Sequence, residues 1–552
     1  MPKKVVITVK EGKISGFIAK SNYSKTEYYS FLGVPYGQST VGPARFKDPV
    51  KVKPWNGILD CTIEKEGCEQ FSLRKRNFSG DEDCLYNNIH TPRIHVKGDP
   101  LKAVVFNIHP GGFSHGSPDP WCYGSPEFVM NRDIVYVCVG YRLHILGHLN
   151  LGLKECSGNQ SVKDIILSLK WIKDNIHNFG GDPQNITILG SSSGSALVHS
   201  LLLSPVAKGL YHKAILMGMY AFNPLLVTID ENATAAYELA KQIGYKGTAD
   251  DKKKLLSYYK RLSLRNLLLA RPHAFFNQST LPIFPTSPFI PMSDSGENSV
   301  TPLSPEKLIP STNRVPIMIG FCEREAAMAF VRQLKHNLSK NFRTAIRQNA
   351  WGWGAHLNDD ELKHIYTQVE SFYTDNHPIE TASPSIKCDV LTDIALSDVY
   401  DSLINIIAAD LPDSVFVYKF QFEGNAGTMK DRIYQMMDEP LEGTYHASDF
   451  SYWNHMTDHW DGKITVLTPK TREKVELMTN LISSFAKTGY KIPYDNPNYE
   501  TLPVNWKPST KDHPCYLNIN ETLEVKDELL NGERMEFWHD LKKQFKRDHF
   551  LS

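Results

Sequence analysis

Asn185-Ile186-Thr187-Ile188-Leu189-Gly190-Ser191-Ser192-Ser193-Gly194 is the stretch on which the fold turns. Asn185 to Leu189 is a short β-branched run and reads as a buried strand. Ala196 to Leu203 is apolar and reads as the start of a helix. Between them lies Gly-x-Ser-x-Gly. Strand, tight turn and helix in that order form a nucleophile elbow, which pushes the central Ser192 out at the carboxyl end of a sheet. Flanking glycines suit a strained turn where side chains would meet neighbouring backbone. Ser192 Oγ then sits over a helix N-terminus, whose partial positive charge favours developing negative charge. A bare Gly-x-Ser-x-Gly match also arises as an ordinary Ser/Gly loop. The other parts of such a site decide between the two.

One such part lies upstream. Val104-Val105-Phe106-Asn107-Ile108 reads as a buried strand running into His109-Pro110-Gly111-Gly112-Phe113. A small-residue loop after a strand can turn consecutive backbone N–H groups toward one point, where they stabilise an oxyanion. The donors here would be Gly111, Gly112 and, after the nucleophile, Ser193. Pro110 has no N–H to give but stiffens the loop. The plain alternative is a Pro-Gly-Gly turn.

At this point the chain resembles the type B carboxylesterase/cholinesterase family of α/β-hydrolases, and within it the intracellular α-esterases of insects. The resemblance rests on several motifs in family order. They are Phe31-Leu32-Gly33-Val34-Pro35-Tyr36-Gly37, Gly42-Pro43-Ala44-Arg45-Phe46, Glu82-Asp83-Cys84-Leu85-Tyr86, Tyr141-Arg142-Leu143 and Phe179-Gly180-Gly181-Asp182-Pro183. It implies an acid after the strand Val315 to Gly320, at Glu325, although Glu323 is close by. It implies a base at His446, in Gly443-Thr444-Tyr445-His446-Ala447-Ser448-Asp449. Ser, Glu, His is the chain order of α/β-hydrolase triads.

The resemblance implies two-step acyl transfer without a cofactor or metal. His446 takes the Ser192 proton, Glu325 orients the imidazole, and the amides receive the oxyanion. It also marks departures. Ser191 and Ser193 replace the usual Glu and Ala of the elbow, removing one negative charge beside His446. Pro110 stands where the family has a third oxyanion-loop glycine, Gly218 where it often has a serine supporting the acid, and Ala326 where glycine is common. Leu225 replaces an aromatic on the acyl side, implying a roomier pocket that Phe113 also borders. Cys68 and Cys84 match a disulfide of secreted members, and in a reducing compartment they are expected as thiols. Arg45 with Glu82, and Arg142 with Asp164, match structural pairs; the bland alternative is surface charge.

The rest of the chain fits an α/β fold with a large, mostly parallel sheet. Strand-like runs recur at Val104 to Ile108, Ile134 to Val139, Ile186 to Leu189, Ala214 to Met217, Val315 to Ile319 and Val415 to Phe420, with helical patterns between. The clearest helix is Val162 to Phe179, ended by Gly180-Gly181. Val5 to Val9 and Ile14 to Ile18 read as a small N-terminal antiparallel sheet. No linker, repeat or low-complexity block divides residues 1–552, so a single domain is expected.

Sixty-one basic and 61 acidic residues balance. That argues against a nucleic-acid partner. Lys542 to Arg547 reads as a solvated helix face. No segment has the length and hydropathy of a membrane span or a signal peptide, so a cytoplasmic location is expected, with secretion left open. Nine cysteines show no metal-type spacing. Eight Asn-x-Ser/Thr matches, among them Asn22, Asn77 and Asn337, matter only on a secretory route. Two functions compete. One is a serine carboxylesterase for small to medium uncharged esters, xenobiotic or lipid-derived. The other is a low-turnover protein that sequesters esters or organophosphates. An adhesion module on the same fold is disfavoured.

Overall fold

A computed structural model describes residues 3–72, 77–120, 122–218, 229–269, 289–294, 296–303, 305–308, 312–330, 358–399, 403–426, 437, 441–455, 466–489 and 504–545. Leu225, Asn337 and Arg547 lie outside them.

The apolar runs assemble into one mixed sheet, thirteen-stranded among the described residues. Its strands are β1 (Lys4–Val9), β2 (Gly12–Lys20), β3 (Glu27–Pro35), β4 (Ile58–Asp60), β5 (Tyr86–Thr91), β6 (Lys102–Ile108), β7 (Val135–Val139), β8 (Gly181–Ser191), β9 (Lys213–Met217), β10 (Ile317–Cys322), β11 (Val415–Phe420), β12 (Tyr516–Ile519) and β13 (Leu523–Lys526). The spatial order is β1-β2-β3-β5-β7-β6-β8-β9-β10-β11-β12-β13, with β4 beside β2. From β7 through β12 all neighbours are parallel. Every residue of β7, β9 and β10 is buried, as a parallel sheet covered on both faces requires. The antiparallel N-terminal strands form as expected, and β3–β5–β7 pairing makes them continuous with the main sheet.

Alternation along the strands feeds two cores. Val104, Phe106 and Ile108 pack with Ile186 and Ile188 under α1 (Gln160–Asn175) and α2 (Ser193–Leu203). Val105, Leu189, Ile215 and Met217 pack with Val475, Met478, Ile482 and Phe485 of α3 (Pro469–Thr488) on the other face. Each fully buried aliphatic contributes about 1.5–3 kcal/mol. The clearest sequence helix starts at Gln160 and closes with a 3-10 turn at Ile176–Phe179, where Gly180 takes φ 81°.

Both matched charge pairs are inside. Arg142 holds Asp164 at 2.7 and 2.9 Å with both side chains buried. Arg45 contacts Glu82. Cys68 and Cys84, the pair marked as a disulfide if oxidised, are joined by one, with their Cα atoms 4.9 Å apart. One expectation needs correcting. Lys542 is buried at 7% exposure, so of the described part of this run only Lys543 and Gln544 are exposed. No described helix is long and apolar enough to cross a membrane.

Candidate active site

Four chain segments leave the C-terminal ends of neighbouring parallel strands and meet. After β8 the backbone turns sharply at Ser192, with φ 55° and ψ −128°. A non-glycine residue at positive φ is strained, and such strain concentrates at functional turns. Glycine is compulsory at Gly194, where a Cβ would lie 2.1 Å from Ile108 O, and at Gly190, where it would lie 2.3 Å from Gly194 backbone. Ser192 N–H donates to Met217 O at 2.9 Å, tying the elbow to β9.

The chain after β10 carries Glu325, and the chain beyond β11 carries His446. Arg324 pairs with Tyr445 in an isolated parallel bridge. Arg324 N–H donates to Thr444 O at 2.9 Å and Glu323 N–H to Thr444 Oγ1 at 3.1 Å. These bonds lock the two loops in register. Glu325 then points inward, 2% exposed, while Glu323 turns toward Gly443.

Ser192, His446 and Glu325 therefore converge. Ser192 Oγ lies 2.8 Å from His446 Nε2, and His446 Nδ1 lies 2.6 Å from Glu325 Oε2. With neutral imidazole, this geometry has Nδ1–H donating to the carboxylate and Nε2 accepting the serine proton. Glu325 Oε1 accepts a second bond, from Cys322 N–H at 2.6 Å. Gly218 closes against this pair. With φ 83°, a Cβ there would lie 3.1 Å from Glu325 Oε2 and from His446 Nδ1. The absent serine thus leaves room that the triad side chains occupy.

The oxyanion loop follows β6, beside β8. Gly111 and Gly112 take φ 137° and 59°. Among the described residues, no acceptor is recorded for the N–H of Gly111, Gly112 or Ser193. Phe113 is buried, with its ring edge-on to His148 at 5.6 Å, so it supports the loop from inside. Ser191 is fully buried and its Oγ has no partner among the described residues.

Sequence reasoning missed the supports. His109 stacks on Tyr141 at 4.3 Å, and its own carbonyl accepts the Tyr141 hydroxyl proton at 2.8 Å. Burial pushes the His109 imidazole down to about 4, so it stays neutral. Gln70 clamps the far end of the oxyanion loop through both atoms of Gly116, at 2.7 and 2.8 Å. Asp449 is 1% exposed beside Cys322 and accepts the Tyr418 hydroxyl proton at 2.7 Å. Burial first, then the Glu325 charge, pushes its carboxyl up to about 6. Its position three residues after His446 was the available signal; Gln70 had none. No group of three or more His, Cys, Asp or Glu side chains among the described residues could hold a metal ion.

Comparison with known proteins agrees with this architecture. A family model described as "Carboxylesterase family" matches residues 3–538. Esterase E4 of Myzus persicae is 28% identical over 95% of this chain and 93% of its own. Juvenile hormone esterase of Heliothis virescens is 26% identical over 91% and 88%. The crystal structure of juvenile hormone esterase from Manduca sexta, with OTFP covalently attached, superposes with a TM-score of 0.80 at 24% identity. It covers 98% of this chain and 100% of that one, a likeness of fold.

Proposed function

Because the chain belongs to the carboxylesterase family, and is with it a carboxylic ester hydrolase, we propose that Ser192, His446 and Glu325 hydrolyse uncharged esters through an acyl-enzyme. The unbroken chain from Ser192 Oγ to His446 at 2.8 Å and on to Glu325 at 2.6 Å carries this reading. Ser192 Oγ attacks the ester carbonyl as Nε2 takes its proton. Glu325 holds the tautomer that leaves Nε2 free and stabilises the imidazolium that forms. The amides of Gly111, Gly112 and Ser193 receive the oxyanion; one such donor is worth about a hundred- to a thousandfold in rate. The imidazolium protonates the leaving alcohol. Water then repeats the sequence on the acyl-enzyme.

The substrates we assign are small to medium esters, xenobiotic or lipid-derived. Steady-state hydrolysis of a short aryl ester tests the reading. Ser192→Ala should lose turnover and stop taking up an organophosphate label. Binding of the ester without turnover in both proteins would instead favour a sequestering protein.

A further inference from the structure

A cavity of about 490 Å³ opens on the antiparallel side of the sheet. That volume falls within the range of about 300–1,000 Å³ typical of small-molecule sites. It is not the site of Ser192. His90 in its wall pairs with Tyr136 near the start of β7, whereas the elbow follows the C-terminal end of β8. Three strand spacings of about 4.8 Å separate β5 from β8.

Its walls are mostly aromatic and aliphatic. Phe17, Tyr23, Leu32 and Phe128 line it, and Tyr23 meets Phe128 edge-on at 4.8 Å. The polar groups in it differ in how far their hydrogen-bonding capacity is used. Glu127 Oε2 already takes Asn22 N–H at 2.5 Å, Tyr23 N–H at 3.1 Å and Ser21 Oγ–H at 3.1 Å. His90 Nδ1 meets Ser30 Oγ at 3.1 Å, while its Nε2 has no partner among the described residues.

Tyr28 lines the same cavity at 7% exposure, and no hydrogen bond of its hydroxyl is recorded among the described residues. Burial, reinforced by the Glu127 charge, keeps that hydroxyl protonated and a donor. His455, at 8% exposure, has its ring edge-on to Phe128 at 4.9 Å. Its imidazole also makes no recorded hydrogen bond among the described residues, and burial lowers its affinity for a proton. Arg472 lies over the Tyr23 ring at 4.5 Å, at the rim. Arg472 and Glu127 are the charged residues of the lining, one of each sign, so neither sign predominates. An acceptor bound in the cavity would give the Tyr28 hydroxyl the partner it lacks among the described residues.

We propose that this cavity is a second ligand site, for an uncharged apolar molecule of ketone or ester class whose oxygen accepts from Tyr28. An apolar body fills the aromatic wall, and the carbonyl oxygen meets the Tyr28 hydroxyl with His455 beside it. The inference concerns binding and stands independently of the catalytic assignment.

Histidine labelled with 13C at Cε1 gives each ring its own NMR signal. That of His455, assigned with His455→Gln, reports this cavity, and that of His446 reports the active site. Titration with 4-phenylbutan-2-one should shift the His455 signal saturably. Tyr28→Phe should raise the midpoint about fivefold, and Leu32→Trp, which fills the space, should abolish the shift. Butylbenzene, which lacks the oxygen, and 4-phenylbutanoate, which is charged, should both bind more weakly than the ketone. An unmoved His455 signal, an unchanged midpoint in Tyr28→Phe, or tighter binding of either comparator would overturn the proposal. If Leu32→Trp fails to fold, the Tyr28→Phe titration still decides.

Discussion

Replacing Glu325 by Gln tests the site more sharply than removing the nucleophile, because the structure dictates how the amide must sit. Glu325 uses both oxygens: Oε1 accepts from Cys322 N–H at 2.6 Å, and Oε2 faces His446 Nδ1 at 2.6 Å. Gln has one acceptor oxygen and one NH2. If the NH2 faced Cys322, two donors would oppose each other and a buried N–H would lose its partner, at about 1–3 kcal/mol. The oxygen therefore stays on Cys322 and the NH2 faces Nδ1. That converts Nδ1 into an acceptor and moves the imidazole proton to Nε2, where it blocks proton transfer from Ser192. A tautomer error of this kind, measured in a Ser-His-Asp protease, lowers kcat about ten-thousandfold, close to 5 kcal/mol of barrier. KM should change little, since the substrate does not touch residue 325. Steady-state hydrolysis of 4-nitrophenyl butyrate gives kcat and KM separately. Glu323→Gln is the control, because that side chain turns toward Gly443 and should alter kcat less than about twofold. An intact kcat in Glu325→Gln, or an equal loss in Glu323→Gln, would refute the assignment.

Two further outcomes follow from neighbouring groups. In Gly218→Ser the new Cβ would sit 3.1 Å from both Glu325 and His446 at φ 83°; kcat for the same ester should fall about ten- to a hundredfold as the pair is displaced. Asp449 has its carboxyl raised from 3.8 to about 6 in the fold, so the native state binds the extra proton between those values and stability falls as pH rises through them. Asp449→Asn should remove that fall, worth about 3 kcal/mol, so urea unfolding midpoints at pH 4 and pH 7 should differ less in the variant than in wild type.

Much of this was legible in the sequence because it is local. The elbow announces itself through a β-branched strand, two glycines and an apolar helix within twenty residues, and the oxyanion loop through a strand ending in Pro-Gly-Gly. The parallel strands were visible as short apolar runs, though their ends moved: β8 begins at Gly181, five residues before the run that marked it. The choice between Glu323 and Glu325 was not local. It is made by the bridge between Arg324 and Tyr445, a pairing across 121 positions that no periodicity records. Gln70 and the Tyr418–Asp449 bond escaped for the same reason. The Cys68–Cys84 pair was marked only by resemblance, because sixteen positions separate two cysteines that the fold brings together. Lys542 escaped because a charged run says nothing of the face its helix turns inward.

The missing elbow carboxylate changes how charge is arranged around His446. Ser191 places a neutral hydroxyl on the β8 side, while Asp449 places a buried carboxyl three residues beyond the imidazole. That carboxyl is not a free charge: Tyr418 donates to one oxygen, Cys322 reaches the other at 3.6 Å, and burial raises its proton affinity to the edge of the neutral range. Near neutral pH it ionises at a cost set partly by repulsion from Glu325, so the two carboxylates compete for the same stabilising cation. In the acyl transfer proposed above, the imidazolium of His446 is that cation. A site built in this way spends no charge on the resting imidazole beyond Glu325 and holds a second anion within reach of the charged intermediate, which is where electrostatic stabilisation accelerates the reaction rather than merely binding its reactants.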